Sequence, residues 1–509
     1  MITRAAIIFL TLLSFSISSY AQAPCTPCDK LKDLKLPDVT ILSVEALASD
    51  TIKSPEPWIP TTYLTKPFCR VMGTISTEIN FELLLPQQWN GRFLMGGGGG
   101  FVGSIQNELR DRVNDGYATA GTDTGHKGQA FSAEWAYNNM ERQLNFGRLA
   151  IHRTTVVSKS IIQAFYCKET FYSYFLGCSR GGGQAMVEAQ LYPQDFNGIV
   201  AGAPVHRWPA LSAKFLSVIQ KNYPNPNDLT PVLTADNLKL LQEYVLKQCD
   251  NLDGLSDKVI TDPRDCKIDL SKLPVCVNNQ PGATCFTKEQ LAVIRAVYEP
   301  LVIDQKTVYP AFPVGIEAEE GGWDIWIAGT NSYVKPSLEF TISTGLYKYL
   351  VFNDANWDYS KYDFKKFFDE TRFASSFLDA TSVDYSEFKK NNGKMIIYHG
   401  WNDPSVSAFS SIEHFEAALK EDKDLNSYMR LFLLSGVLHC GGGTGCDNVN
   451  WVEVIQSWVE NNQPPDRVIS SKMAQGKTTA TRPVYPYPKV TVYSGSGDAS
   501  QERSYKVKQ

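Results

Sequence analysis

Three residues whose types together hydrolyse acyl compounds stand far apart in this chain: Ser179, Asp403 and His439. A serine hydroxyl is a weak nucleophile at neutral pH. It needs an imidazole to take its proton and a carboxylate to hold that imidazole in the right tautomer. Ser179 centres Gly177-Cys178-Ser179-Arg180-Gly181, a match to G-x-S-x-G, where flanking glycines permit a turn tight enough to lift the hydroxyl clear of the backbone. His439 is one of six histidines and lies in the Gly-rich stretch Gly436-Val-Leu-His439-Cys440-Gly-Gly-Gly443. Asp403 sits in His399-Gly-Trp-Asn-Asp403-Pro. A five-residue motif arises by chance, and an isolated loop histidine is usually just a hydrogen-bonded one. The order Ser…Asp…His, with each member just past a strand-like run, reverses that preference. Asp447 and Asp384 are the runner-up acids, and neither follows a strand as cleanly. Gly96 to Gly100 adds five consecutive glycines, costly in chain entropy and therefore poorly explained by structure alone. The amide of Gly98 or Gly99, with that of Arg180, is the expected oxyanion hole. A phosphate loop would require a following Gly-Lys-Ser/Thr, which is missing.

These residues need a scaffold, and the chain supplies one in alternation. Phe171 to Leu176 reads as a buried strand before the serine turn, and Gln184 to Leu191 as the start of a helix after it. Residues 22 to about 90 form a proline-containing, β-rich lead-in. Gly91–Met95, Gly116–Thr122, Asn197–Pro204, Lys394–Gly400 and Arg430–Ser435 are further strands. Leu149–Tyr166, Ser407–Leu419 and Asn450–Glu460 are helices between or after them. That alternation predicts an α/β fold with a mostly parallel sheet, and the Ser…Asp…His order predicts the α/β-hydrolase version. Between 206 and 378 the texture changes to helices, close cysteine pairs and aromatics, including Ala235–Gln248 and a capping box at Thr287-Lys-Glu-Gln290 that opens a helix to Tyr298. The expected layout is a signal peptide over 1–21, a catalytic domain in two parts over 22–205 and 379–509, and an inserted lid over 206–378. The tail after Ala474, rich in Pro and Ser, is expected to be mostly irregular.

The 509 residues allow a large core, and the net charge of −5 without a Lys/Arg run excludes nucleic acid and anionic membrane as partners. Arg4 followed by an apolar run from Ala5 to about Ile17 and by Ser19-Tyr20-Ala21 is a secretory leader, so the mature protein is expected to be exported, as a secreted or periplasmic protein. Export places eleven cysteines in an oxidising compartment. Cys178 precedes the serine and Cys440 follows the histidine. If Ser179 and His439 are within hydrogen-bond reach, their neighbours lie within disulfide range.

Together, Gly177-Cys178-Ser179-x-Gly-Gly, Asp403 in His-Gly-x-x-Asp-Pro and His439-Cys440-x-Gly-Gly resemble the tannase and feruloyl esterase family, which also contains mono(2-hydroxyethyl) terephthalate hydrolases. The resemblance runs from about Cys28 to Asp498. It implies secreted esterases with a Cys178–Cys440 bridge at the catalytic site, a large lid, and a structural calcium. The calcium loop implied is Cys249-Asp250-Asn-Leu-Asp253-Gly-Leu255-Ser-Asp257-Lys-Val259, with carboxylates of Asp250, Asp253 and Asp257 and carbonyls of Leu255 and Val259 as ligands. Without the resemblance, an Asp-rich turn satisfying its own amides explains the stretch equally well. Alongside it, Cys249–Cys266, Cys276–Cys285 and Cys28–Cys69 are candidate bridges, while Cys25, Cys167 and Cys446 have no assigned partner. The family also points to His399 as a pocket residue, with a satisfied strand-end histidine as the alternative. Trp323 and Trp326 are candidates to wall the acyl pocket or to pack the lid. Two departures stand out. Tyr485 occupies a place where the family often has cysteine, and no arginine lies between Gly321 and Tyr349 to hold a terephthalate carboxylate.

The expectation is a serine carboxylesterase for small or polysaccharide-linked aromatic esters, feruloyl esters first, with galloyl esters or terephthalate monoesters as alternatives. It needs calcium but no organic cofactor. A non-catalytic, calcium-dependent glycan-binding protein is the rival from another class.

Overall fold

The computed structural model describes residues 22–508 except 55 and 316. The leader over 1–21 lies outside the described residues.

Nine strands make one sheet: β1 (Val39–Leu47), β2 (Phe68–Ile75), β3 (Ile79–Pro86), β4 (Arg92–Gly96), β5 (Ala118–Thr122), β6 (Tyr172–Cys178), β7 (Gly198–Gly202), β8 (Lys394–Gly400) and β9 (Met429–Leu434). Their order across the sheet is β1-β2-β3-β5-β4-β6-β7-β8-β9. The first three pair antiparallel, and every pairing from β5 to β9 is parallel. Parallel strands need covered faces on both sides, which is why their sequences are apolar throughout. In β6, Tyr174 points into the cluster of Trp451, Ile455 and Trp458, while its neighbour Phe175 points into that of Ile161, Phe165 and Met186.

The covering helices are α1 (Ala150–Tyr166), α2 (Arg180–Leu191), α7 (Ala408–Glu421) and α8 (Trp451–Asn461). Between β7 and β8 the chain adds no strand to the sheet. It forms α3 (Trp208–Asn222), α4 (Ala235–Cys249), α5 (Lys288–Tyr298) and α6 (Leu338–Leu346) around Leu241, Phe286, Ile294, Trp323 and Tyr347. The capping box at Thr287 is present, with Thr287 Oγ1 accepting from the Gln290 amide and Gln290 Oε1 accepting from the Thr287 amide.

Two elements differ from the sequence reading. Helix α2 begins at Arg180, so Gly181, Gly182 and Gly183 are its first turn rather than a loop before it. A Cβ on Gly182 would meet the Gly202 carbonyl at 2.2 Å and one on Gly183 the Val205 carbonyl at 2.3 Å, so low helix propensity is accepted here for close packing against β7. The C-terminal region is not mostly irregular. Val468–Ala474 pairs with Lys477–Val484, and Thr491–Tyr493 with Tyr505–Val507, because alternating β-branched residues outweigh the scattered Pro and Ser.

Candidate active site

Strand β6 delivers Ser179 through a turn of unusual backbone geometry. Ser179 has φ 62° and ψ −120°, a strained conformation for a residue with a side chain. The strain is over-determined by the contacts around it. The Ser179 amide donates to the Gly202 carbonyl at 3.0 Å, and its own carbonyl accepts from the Gly183 and Val205 amides, each at 3.0 Å. A Cβ on Gly177 would meet Gly181 at 2.7 Å, and one on Gly97 would meet the Gly181 Cα at 2.8 Å. The glycines thus let β6, α2 and the Gly-rich loop after β4 come together at one point.

Beneath the serine, the Arg180 side chain is buried. Its guanidinium donates to the carbonyls of Phe146 at 2.9 Å, Gly147 at 2.8 Å and Leu378 at 3.4 Å, and lies over the rings of Phe146 and Trp208. Burial pulls its pKa down to about 10 despite the opposing charge of Asp379. Sequence reasoning assigned only the backbone amide of this residue. The side chain ties the elbow to the chain on both sides of it.

Strand β8 leads into Asp403 and β9 into His439. His439 Nδ1 donates to Asp403 Oδ2 at 2.7 Å. Asp403 Oδ1 accepts from the amides of Ser405 and Val406, each at 2.8 Å, and Oδ2 also lies 3.2 Å from His399 Nε2. Burial alone would raise this carboxyl. The charge of His439 and the hydrogen bonds from His399 and His439 outweigh it and hold Asp403 well below the usual carboxylate range. With Nδ1 committed to Asp403, His439 Nε2 is left as the basic nitrogen, buried and without a partner among the described residues. The loops carrying acid and base cross at Gly400, where a Cβ would meet the Val437 carbonyl at 2.3 Å, and Asn402 Oδ1 accepts from the Gly436 amide at 2.9 Å. The runner-up acids are elsewhere: Asp447 accepts from the Gly442 amide at 2.7 Å, and Asp384 from the Ser386 amide at 2.9 Å.

A disulfide joins Cys178 and Cys440 with Cα atoms 5.8 Å apart, 262 positions apart in sequence. It brings the residue before Ser179 against the residue after His439. Bridges also join Cys28–Cys69, Cys249–Cys266, Cys276–Cys285 and Cys25–Cys167. The last pair had no sequence signal, since 142 positions separate its members. Cys446 is free and buried, in a cavity it shares with Arg482 and Tyr485, the residue standing where the resembled family often has cysteine.

Several site expectations need correction. His399 is not a pocket residue. It is wholly buried, with Nε2 at 2.8 Å from the Val406 carbonyl and Nδ1 at 2.8 Å from Ser411 Oγ. The carbonyl can only accept, so Nε2 carries the proton and is placed to donate to Asp403 as well. Trp323 packs against Tyr298 at a ring separation of 5.4 Å in the core of the inserted segment. Trp326 instead stands edge-on to the His439 ring at 5.0 Å. The Gly98 amide donates to Gln184 Oε1 at 3.1 Å and the Gly99 amide to Gln106 Oε1 at 2.7 Å, so neither is free as it stands. The Arg180 amide donates to none of the described residues. No sequence motif marks the two glutamines.

In the Asp250–Val259 loop, Asp250 accepts from the Lys258 amide at 2.7 Å, Asp253 from the Leu255 amide at 3.0 Å and Asp257 from the Val259 amide at 3.1 Å. Asp253 also bonds Thr261, and Asp257 pairs with Arg482. Burial, opposed by the Lys258 amide and reinforced by the charges of Asp257 and Asp253, raises the Asp250 carboxyl. Val259 is buried, yet neither its carbonyl nor that of Leu255 accepts a hydrogen bond from any described residue. Hard oxygen donors with spare lone pairs, mutual repulsion and orphaned carbonyls fit a calcium ion.

The strand order, the strained turn at Ser179 and the paired Asp403 and His439 past the last two strands define the molecule as an α/β-hydrolase. The model of the tannase and feruloyl esterase family matches residues 64–508. The chain therefore belongs to the tannase and feruloyl esterase family and is a carboxylic ester hydrolase. It is 30% identical to a probable feruloyl esterase B-1 of Aspergillus flavus over 95% of both chains, and 30% identical to feruloyl esterase B of Aspergillus niger over 86% of both. The crystal structure of feruloyl esterase B from Aspergillus oryzae superposes with a TM-score of 0.84 at 28% identity, over 94% of this chain and 99% of that one. Five disulfides accord with an extracellular protein. Among the described residues no helix is long and apolar enough to cross a membrane.

Proposed function

We propose that this enzyme hydrolyses esters of hydroxycinnamic acids, feruloyl esters first, through an acyl-enzyme on Ser179. The observation that carries the reading is His439, with Nδ1 held by Asp403 and Nε2 unpartnered on a loop bridged to the serine elbow. Ser179 Oγ attacks the ester carbonyl while His439 Nε2 takes its proton, then returns it to the leaving alcohol. Water repeats the sequence to release the acid. Asp403 keeps the proton of His439 on Nδ1 and stabilises the imidazolium. The Arg180 amide is open to the oxyanion, and the second donor is the Gly98 or Gly99 amide, which must exchange its glutamine oxygen for that of the substrate. Segment 206–378 serves as the lid, and Trp326, edge-on to His439, is its pocket residue. Calcium, held by Asp250, Asp253, Asp257 and the carbonyls of Leu255 and Val259, supplies a fixed positive charge that ties the lid loop together. Residues 1–21 direct export and are removed.

Fluorophosphonate labelling of wild type and Ser179→Ala tests the nucleophile. Label on Ser179 and loss of all turnover in the variant are expected, and wild-type rates in Ser179→Ala would refute the mechanism. Hydrolysis rates on methyl ferulate, methyl caffeate, methyl gallate and mono(2-hydroxyethyl) terephthalate test the acyl group. Preference for either of the last two would replace the feruloyl reading.

A further inference from the structure

Towards the other end of α2 from the serine lies a second cluster that the esterase chemistry does not use. His152 on α1, Glu188 on α2 and Asp195 in the turn before β7 each bring one donor atom within 4.8 Å of the others. His152 Nδ1 and Asp195 Oδ2 are 2.7 Å apart. The Tyr192 ring stacks on the imidazole at 3.9 Å and fixes its plane, and the Asp195 amide donates to the Tyr192 carbonyl at 2.9 Å and fixes the turn. The Lys159 ammonium donates to the Asp195 carbonyl rather than to a carboxylate.

Glu188 is the unexplained member. It is 1% exposed, and neither carboxylate oxygen has a hydrogen-bond partner among the described residues. A buried carboxylate without a partner is costly, so something must neutralise it, either a proton or a cation.

We infer that His152, Glu188 and Asp195 form a binding site for a divalent transition-type cation, Mn2+ or Zn2+. An imidazole nitrogen with two carboxylates matches that borderline class, whereas an oxygen-only loop matches calcium. Ligands about 2.1 Å from a tetrahedral ion stand roughly 3.4 Å from one another, within the range the three atoms already span. Access is from solvent past His152, whose side chain is 32% exposed, while Glu188 forms the floor. The ion would pin α1, α2 and the turn before β7 to one another. Glu188 lies nine residues beyond Ser179, roughly 13 Å along the helix axis, so the role is structural.

The test uses the full chain, stripped with chelator and returned to excess Ca2+ so that oxygen-only sites are filled. Titration calorimetry with Mn2+ and with Zn2+ should show one equivalent bound and a raised Tm. Glu188→Gln and His152→Gln should each weaken binding about 100-fold or more, with kcat/KM on the ester substrate unchanged. His152 is on the solvent side, so its variant keeps the test valid if Glu188→Gln fails to fold. Binding that persists in both variants would place the ion elsewhere, for instance on His439, and overturn the site. No binding in wild type, with Glu188→Gln as stable as wild type, would leave only a shared proton and overturn it equally.

Discussion

Asp403→Asn is the substitution that interrogates the active site most directly, because its effect follows atom by atom. The carboxylate accepts four hydrogen bonds, two on each oxygen: Oδ1 from the Ser405 and Val406 amides, Oδ2 from His439 and His399. Asparagine keeps Oδ1 for the two amides and turns an NH2 group toward the two imidazoles. His399 loses little, since Nε2 still has the Val406 carbonyl. His439 has no such alternative. Facing a donor, its Nδ1 must become the acceptor, and the proton moves to Nε2, the atom that should deprotonate Ser179. The wrong tautomer costs about 10⁴-fold in rate, equivalent to roughly 5.5 kcal/mol of transition-state stabilisation. Stability should change far less. Two charge-assisted hydrogen bonds worth about 1.5–3 kcal/mol each are lost, but so is the cost of burying a charge. The assay is kcat/KM on the preferred ester, with thermal unfolding of the same preparations. A variant that folds and keeps more than about a tenth of wild-type kcat/KM would refute the assignment of Asp403 as the group that fixes the His439 tautomer. The pH dependence carries the same signature. A carboxyl held well below its unfolded value stabilises the fold above that value and loses this only as pH falls through its depressed folded pKa, so loss of activity above about pH 4 belongs to groups other than Asp403.

Replacing both Cys178 and Cys440 with serine opens a loop of 262 positions, an upper limit of about 5.5 kcal/mol in the chain-entropy model, and should reduce activity more than fold; unchanged kcat/KM would refute a role for the bridge in catalysis. Chelation should lower Tm and added Ca2+ restore it, and Asp253→Ala should abolish that response; metal analysis finding no calcium in protein purified without chelator would count against the loop. Burial, opposed by the Trp208 amide and Arg180, pushes the Asp379 carboxyl up to about 7. The folded state then holds more protons than the unfolded one between about pH 4 and pH 7, so stability falls as pH rises through that window. Asp379→Asn should therefore melt higher relative to wild type at about pH 8 than at about pH 5, and a flat difference would refute the shifted carboxyl.

The sheet was legible because parallel strands buried on both faces leave apolar runs, and because the elbow, acid and base each terminate one. Lys394–Gly400 could be read to the residue for this reason. What failed was reading through glycine. Gly181 to Gly183 looked like loop, and only the approach of the Gly202 and Val205 carbonyls explains why they are helix. The site was legible in its chemistry but not in its orientation. His399 sits in a strand-end motif that does not say which way the ring faces, and burial turned it toward Asp403 rather than the substrate side. Gln106 and Gln184 lie outside any motif, since their role depends on where two glycine amides point. Arg180 was visible only as a backbone amide, because three carbonyl acceptors from distant segments cannot be foreseen from its neighbours.

The two ends of the segment between β7 and β8 meet each other. The Ala203 amide donates to the Tyr398 carbonyl at 2.8 Å where β7 ends, and the Ala380 amide donates to the His206 carbonyl at 2.9 Å before the chain runs on to β8. β7 and β8 are direct neighbours, so the sheet closes the same way whatever the length of chain between them. This makes the segment an exchangeable cassette. Descendants of such a chain can lengthen, shorten or rewrite it without altering any strand register, while Ser179, Asp403 and His439 stay where the sheet puts them. If the segment is the lid proposed above, substrate range can change by replacing it while the sheet stays as it is, and grafting it between related chains is the corresponding route for engineering.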